Sequence, residues 1–178
     1  VTTTAKEYGE GLYELARDEH VLEQVHGEVL ELSEILKAEP RFLTLITSRA
    51  IEREARVRVV DETFGGRAHT FIVNFMKLLV EKERGDILPD ALAYFHQRYN
   101  EDMGIVEARV TSAVPLTDND LEALRQKLHD ISKKQVHLLT KVDPSVIGGV
   151  RVEMDGRRYD NTIQNKLGRL RQSLTRGL

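Results

Sequence analysis

Six histidines, a serine in a glycine-rich turn and one Gly-Gly-Arg step are the residues of this chain best suited to chemistry. His20, His26, His69, His96, His129 and His137 are of the type that ligates metals or moves protons near neutral pH. A helical metal pair needs ligands three or four residues apart, and no two of the six have that spacing. They read as surface or helix-end histidines, with no metal expected. Ser145 lies in Asp143-Pro144-Ser145-Val146-Ile147-Gly148. This is not the Gly-x-Ser-x-Gly elbow that exposes a nucleophile, so a turn role is expected. Gly65-Gly66-Arg67 lacks the Lys-Ser/Thr of a phosphate loop, and there is neither a His-Glu-x-x-His pair nor a calcium loop. The carboxylates sit mainly on polar helix faces, where solvation is the default. With no cysteine in the chain, thiolate and disulfide chemistry are excluded. No constellation supports catalysis by this chain alone, and no cofactor is expected.

The elements around these residues read as mostly helix. Thr4-Ala5-Lys6-Glu7 fits a capping box, followed by Ala5, Tyr8, Leu12, Leu15 and Ala16 at helical spacing. Gly9 and Gly11 interrupt this helix, each costing about 1 kcal/mol against Ala. Such a helix is expected to have its backbone closely approached, either by another helix of its bundle or by a partner segment. Val21, Val25, Val29, Leu32 and Leu36, widened by Leu22 and Ile35, make the stripe of a second helix, which Pro40 ends. Phe42, Leu43, Leu45 and Ile46 form a short third. A fourth, rich in Arg and Glu, runs from about Ile51 to Phe64 and stops at Gly65-Gly66. The fifth, Phe71 to Val80, is apolar almost all round, broken by Asn74 and Lys77. It is either the central helix of a bundle or a helix with one side turned to a partner. A sixth follows from about Ile87 to Asp102, with Pro89 in its first turn and Ile87, Leu88, Leu92, Phe95 and Tyr99 inward.

At Met103-Gly104 the period changes from 3.6 to 2, which places a domain boundary there and a strand from Ile105 towards Pro115. Thr117 with Asp120 caps a seventh helix striped by Leu121, Leu124, Leu128 and Ile131. The stretch Gln135 to Met154 reads as two strands joined by a tight, partly irregular connection through Asp143-Pro144-Ser145 and Gly148-Gly149. Asp155-Gly156 is a hairpin turn signal, with Arg157-Arg158-Tyr159 as the return strand. Asn161 with Gln164 caps a last helix, apolar at Ile163, Leu167, Leu170 and Leu174 and basic elsewhere. The fold class is therefore mainly α with a small α+β part. A six-helix bundle occupies residues 1–104, and a domain with a small β-sheet or hairpin and two helices occupies residues 105–178.

At 40% hydrophobic and 31% charged, the composition is that of an ordinary globular protein. No apolar run approaches the roughly 20 residues of a membrane span. The start, VTTTAKEYGE, has neither the apolar core of a signal peptide nor the Arg/Ser-rich character of a transit peptide. Residues 1–104 carry 13 Lys and Arg against 20 Asp and Glu, whereas residues 105–178 carry 13 against 9. That asymmetry suggests two faces for two partners, or solvated faces that differ in sign by chance.

Several stretches in order resemble one family. Tyr8 opens an apolar first helix. Leu78-Leu79-Val80-Glu81-Lys82-Glu83-Arg84 precedes Leu88-Pro89, and Val110-Thr111-Ser112-Ala113 precedes Leu116. Val142-Asp143-Pro144-Ser145-Val146-Ile147-Gly148-Gly149-Val150 is the most specific. Together they look like the delta subunit of bacterial and chloroplast ATP synthase, whose mitochondrial counterpart is the oligomycin sensitivity-conferring protein. The resemblance covers essentially the whole chain. Gly9 departs from it, standing where the family usually has Ala, as do Asp160-Asn161-Thr162, where Asp-Gly-Ser is usual, and Gly156, displaced behind Asp155.

The resemblance implies a non-catalytic stator subunit at the top of the catalytic head. In it, the bundle receives an alpha subunit's amino-terminal helix between its first and fifth helices, and the carboxyl-terminal part binds the peripheral-stalk b subunits. By that reading the alpha-subunit groove uses Tyr8, Leu12, Leu15, Phe71, Phe75, Leu78 and Leu79. The stalk side uses Lys166, Leu167, Arg169, Leu170, Arg171 and Leu174. The expected location is peripheral, on the cytoplasmic face of a bacterial plasma membrane, held there through partner subunits. A helical nucleic-acid-binding or adaptor protein using the basic second part is the alternative. Low aromatic content, the absence of a known reading motif and a net charge of −3 argue against nucleic acid. A small helical enzyme is disfavoured by the missing catalytic constellation.

Overall fold

The computed structural model describes residues 2–146 and 148–160. Its fold is mainly α with a small α+β part, and it divides into two compact units, Val1–Asn100 and Glu101–Leu178. The last helix expected from Asn161 lies outside the described residues, as does Ile147.

The first unit is built from α1 (Thr3–Asp18), α2 (Leu22–Ala38), α3 (Pro40–Thr47), α4 (Arg53–Phe64), α5 (Thr70–Glu81) and α6 (Leu88–Asp102), with a 3-10 turn at Gly85–Ile87. Helix α1 starts two residues earlier than Thr4 suggests: the Thr2 hydroxyl accepts from the Ala5 amide at 3.2 Å. Pro40 opens α3 as well as closing α2, since its missing N–H falls where a helix start has no use for one. His69 caps α5, its Nδ1 accepting from the Phe71 amide.

The buried face of α1 is not the expected stripe. Ala5, Gly9, Leu12, Tyr13 and Ala16 are buried, whereas Tyr8 is half-buried and Leu15 exposed. Both rows have helical spacing, so periodicity alone did not choose between them. Tyr13 wins because its ring packs edge-on against Phe95 of α6, with centroids 5.6 Å apart. Gly9 wins because α6 lies against it: a Cβ there would sit 2.6 Å from the Ala91 carbonyl oxygen. The close neighbour anticipated for that glycine is thus a helix of the same bundle. Gly11 faces open space. Helix α5 fills the middle of this unit with Ile72, Val73, Phe75, Met76, Leu79 and Val80, all buried.

In the second unit, β1 (Ile105–Ser112), β2 (Gln135–Val142), β3 (Val150–Met154) and β4 (Arg157–Asp160) form one sheet in the order β2-β1-β3-β4. The two strands of Gln135 to Met154 are therefore not neighbours. Strand β2 pairs parallel to β1 from Ile105↔Gln135 to Ser112↔Val142, and β3 pairs antiparallel on the other side of β1. A parallel pair needs a crossover, which α7 (Asp118–Ser132) supplies between β1 and β2. The capping box of Thr117 and Asp120 is present. Leu128 of α7 is buried with Val106, Ala108, Val110, Val136, Val152 and Met154 of the sheet, while Ile131 is exposed. Asp155 and Gly156 both have positive φ, as a two-residue hairpin turn between β3 and β4 requires.

Candidate functional site

Helices α1 and α5 are neighbours in the first unit. Each buries one face and leaves apolar side chains on another. On α1, Thr4, Tyr8, Gly11 and Leu15 fall at i, i+4, i+7 and i+11, and none of them is buried. Leu15 keeps 44% of its surface exposed. On α5, Phe71, Asn74 and Leu78 make the outward row, and Leu78 is 40% exposed. The start of α5 is held in place by Glu28 of α2, whose carboxylate accepts from the His69 amide, and the His69 ring meets the Phe71 ring edge-on at 4.7 Å. Of the seven residues assigned to the groove, Leu12, Phe75 and Leu79 are core, Tyr8 and Phe71 are half-buried, and Leu15 and Leu78 are exposed. The six assigned to the stalk, Lys166, Leu167, Arg169, Leu170, Arg171 and Leu174, lie outside the described residues.

Two polar clusters escaped the sequence. His26 and His96 are 70 positions apart in the chain, yet Nε2 of the first lies 2.8 Å from Nδ1 of the second. The Asn100 amide donates to His96 Nε2 at 3.1 Å, so neutral His96 carries its proton on Nδ1 and gives it to His26. His26 also stacks on Tyr99 at 3.6 Å. Burial, reinforced by the charge of His96, lowers the His26 pKa from 6.5 to about 4. The second cluster centres on Arg56, which is buried although it belongs to the helix rich in Arg and Glu. Its Nη2 donates to Glu83 at 2.7 Å, Nη1 to Glu83 and the Ile46 carbonyl, and Nε to the Ile51 carbonyl. These hydrogen bonds, then the charges of Arg56, Arg49 and Arg53, hold the Glu83 carboxyl below the ordinary carboxylate range. Only three-dimensional packing creates either cluster. No signal along the chain points to them.

Among the described residues no group of three or more His, Asp or Glu side chains is placed to hold a metal. Ser145 occupies a turn, its hydroxyl and amide both bonded to Asp143 Oδ1 at 2.7 and 3.0 Å. No described helix is long and apolar enough to cross a membrane.

The family model described as the ATP synthase delta (OSCP) subunit matches residues 4–174. The chain belongs to this family. It is 35% identical over 170 residues to the ATP synthase subunit delta of an Exiguobacterium species, covering 96% of each chain. To the subunit delta of a Geobacillus species it is 32% identical over 171 residues, again covering 96% of each. A Prochlorococcus marinus subunit delta is 32% identical over 170 residues, covering 95% of this chain and 94% of the relative. In a cryo-EM structure of the Toxoplasma gondii mitochondrial ATP synthase hexamer, one chain shares the fold with a TM-score of 0.74 at 18% identity, covering 98% of both chains. As a delta/OSCP family member, the chain is a structural subunit of the ATP synthase complex. Gly9, read from the sequence as a departure from the family resemblance, lies where Tyr94 and the α6 backbone leave no room for a Cβ.

Proposed function

We propose that this chain is the joint of the stator, tying the top of the catalytic head to the peripheral stalk so that the head does not turn with the rotor. The unit of residues 1–104 holds the head, and the part from residue 105 holds the stalk b subunits through the basic residues of its carboxyl-terminal segment. The complex then places the chain peripherally, on the cytoplasmic face of a bacterial plasma membrane. The head-side contact is a groove between α1 and α5 that takes an amphipathic amino-terminal helix of an alpha subunit. One observation carries this reading: Leu15 and Leu78 stand exposed on adjacent helices, each outside the face that its helix buries in the core. Tyr8, Gly11 and Phe71 extend the two rows, and Gly11 lets a partner backbone come close to α1. Leu12, Phe75 and Leu79 support the floor of the groove from the core.

Completing the burial of Leu15 and Leu78 contributes about 1 kcal/mol each, since roughly half of each side chain is already covered. A charged residue at either place would have to be desolvated by the partner. Isothermal titration of the full chain with the amino-terminal peptide of an alpha subunit from the same source tests the groove. One-to-one binding with a negative heat-capacity change is expected. Leu78→Asp should weaken it about 30- to 150-fold without unfolding the chain. Equal binding by wild type and the Leu15→Asp/Leu78→Asp variant would move the contact elsewhere.

A further inference from the structure

A polar pocket of about 500 Å3 opens in the first unit, where the end of α5 and the 3-10 turn meet the segment between α3 and α4. Four cations line it, Arg49, Arg56, Lys82 and Arg84, against two carboxylates, Glu83 and Asp86. Arg56 forms its back wall and is committed: buried, it spends its donors on Glu83 and on the Ile46 and Ile51 carbonyls. Glu83 is presented on a left-handed residue, φ +55, and so answers Arg56. The side chains of Arg49, Lys82 and Arg84 are exposed and make no hydrogen bond or ion pair with any described residue. Like charges gathered on one concave surface repel unless an anion is shared among them, and a concave site focuses their field.

We infer that this pocket binds a phosphate-class oxyanion carrying two or more charges, held by Arg49, Lys82 and Arg84 with the Arg56–Glu83 pair behind it. The lining holds no aromatic ring and no large apolar side chain, so nothing there would stack a nucleobase. Recognition would rest on the phosphates alone. A diphosphate carries more charge and more oxygens than a single phosphate, and so can engage more of the three exposed cations at once. Guanidinium forks suit such an ion because they match two oxygens at once.

The test is isothermal titration of the full chain in phosphate-free, low-salt buffer with inorganic pyrophosphate, and separately with inorganic phosphate. The expected result is saturable one-to-one binding of pyrophosphate, weaker binding of phosphate, and loss of affinity as salt is raised. Arg49→Ala and Arg84→Ala should each weaken binding about tenfold. Glu83→Gln removes the competing negative charge while keeping an acceptor for Arg56, and should tighten binding. Lys6→Ala, exposed on α1, should change nothing. The inference is overturned by no saturable binding to the folded chain. It is also overturned if the Arg49→Ala/Arg84→Ala variant, melting like wild type, binds as wild type does, or if Lys6→Ala weakens binding as much as the pocket variants.

Discussion

Gly9→Ala should destabilise the first unit even though alanine is the better helix former. Replacing a mid-helix glycine by alanine normally stabilises by about 1 kcal/mol. At Gly9 the new methyl would lie 2.6 Å from the Ala91 carbonyl oxygen, 2.9 Å from Tyr94 Cδ1 and 3.2 Å from Tyr94 Cβ. The first contact is backbone of a packed helix. The others belong to a side chain whose hydroxyl is anchored to Glu10 at 2.9 Å. Nothing there is a loose end that can swing away, so α1 and α6 must separate. Overpacking costs about 1–3 kcal/mol, and a backbone contact this short puts Gly9 at the upper end, about 2–3 kcal/mol; after the gain in helix propensity a net loss of about 1–2 kcal/mol is expected. Gly11→Ala is the internal control. No atom lies within 4 Å of its would-be Cβ, so it should stabilise by about 0.5–1 kcal/mol. Urea denaturation at fixed pH reads both as midpoint shifts at unchanged slope. Should Gly9→Ala prove as stable as wild type or more so, the close α1–α6 packing would be wrong.

Three further outcomes follow from the packing. Arg56→Ala removes the buried cation that satisfies the Ile46 and Ile51 carbonyls, and should cost about 2–4 kcal/mol in urea denaturation. His26 has a depressed folded pKa, about 4 against 6.5. Its unfolded form therefore takes up a proton first as pH falls, and stability drops from pH 6.5 towards 4. Discounted for its partial exposure, the loss is about 1–2 kcal/mol, and His26→Gln should flatten that part of a stability-versus-pH curve relative to wild type. Thr117→Ala breaks the capping box of α7 and should lower the stability of the second unit by about 1 kcal/mol, measured by hydrogen exchange of α7 amides.

The helices were legible because their apolar residues repeat at 3.6 and their ends carry Thr117, Pro40 and Gly65-Gly66, residues whose backbone chemistry is local. The capping box at Thr117 appears as read, and the Asp155-Gly156 turn likewise. What local chemistry could not decide was the choice between equivalent solutions. Thr2 and Thr4 are both able caps, and tertiary contacts with α6 select the row Gly9, Tyr13 over Tyr8, Leu15. Pairing of β2 with β1 instead of β3 depends on α7 acting as a crossover, a long-range event that alternation within each strand does not encode. In the candidate groove, the sequence marked α1 and α5 as unusual, yet only packing separates Leu15 and Leu78 from Leu12, Phe75 and Leu79. Arg56 and the His26–His96 pair were invisible because their neighbours come from distant segments.

The central claim is that this chain holds the catalytic head to its stalk. It is tested most directly by co-sedimentation of catalytic heads with membranes stripped of this subunit. Adding the wild-type chain should restore head binding, while the folded Leu15→Asp/Leu78→Asp variant should itself attach to the membranes yet leave the heads in solution. Heads that sediment equally without the chain, or equally well with the double variant, would contradict the account.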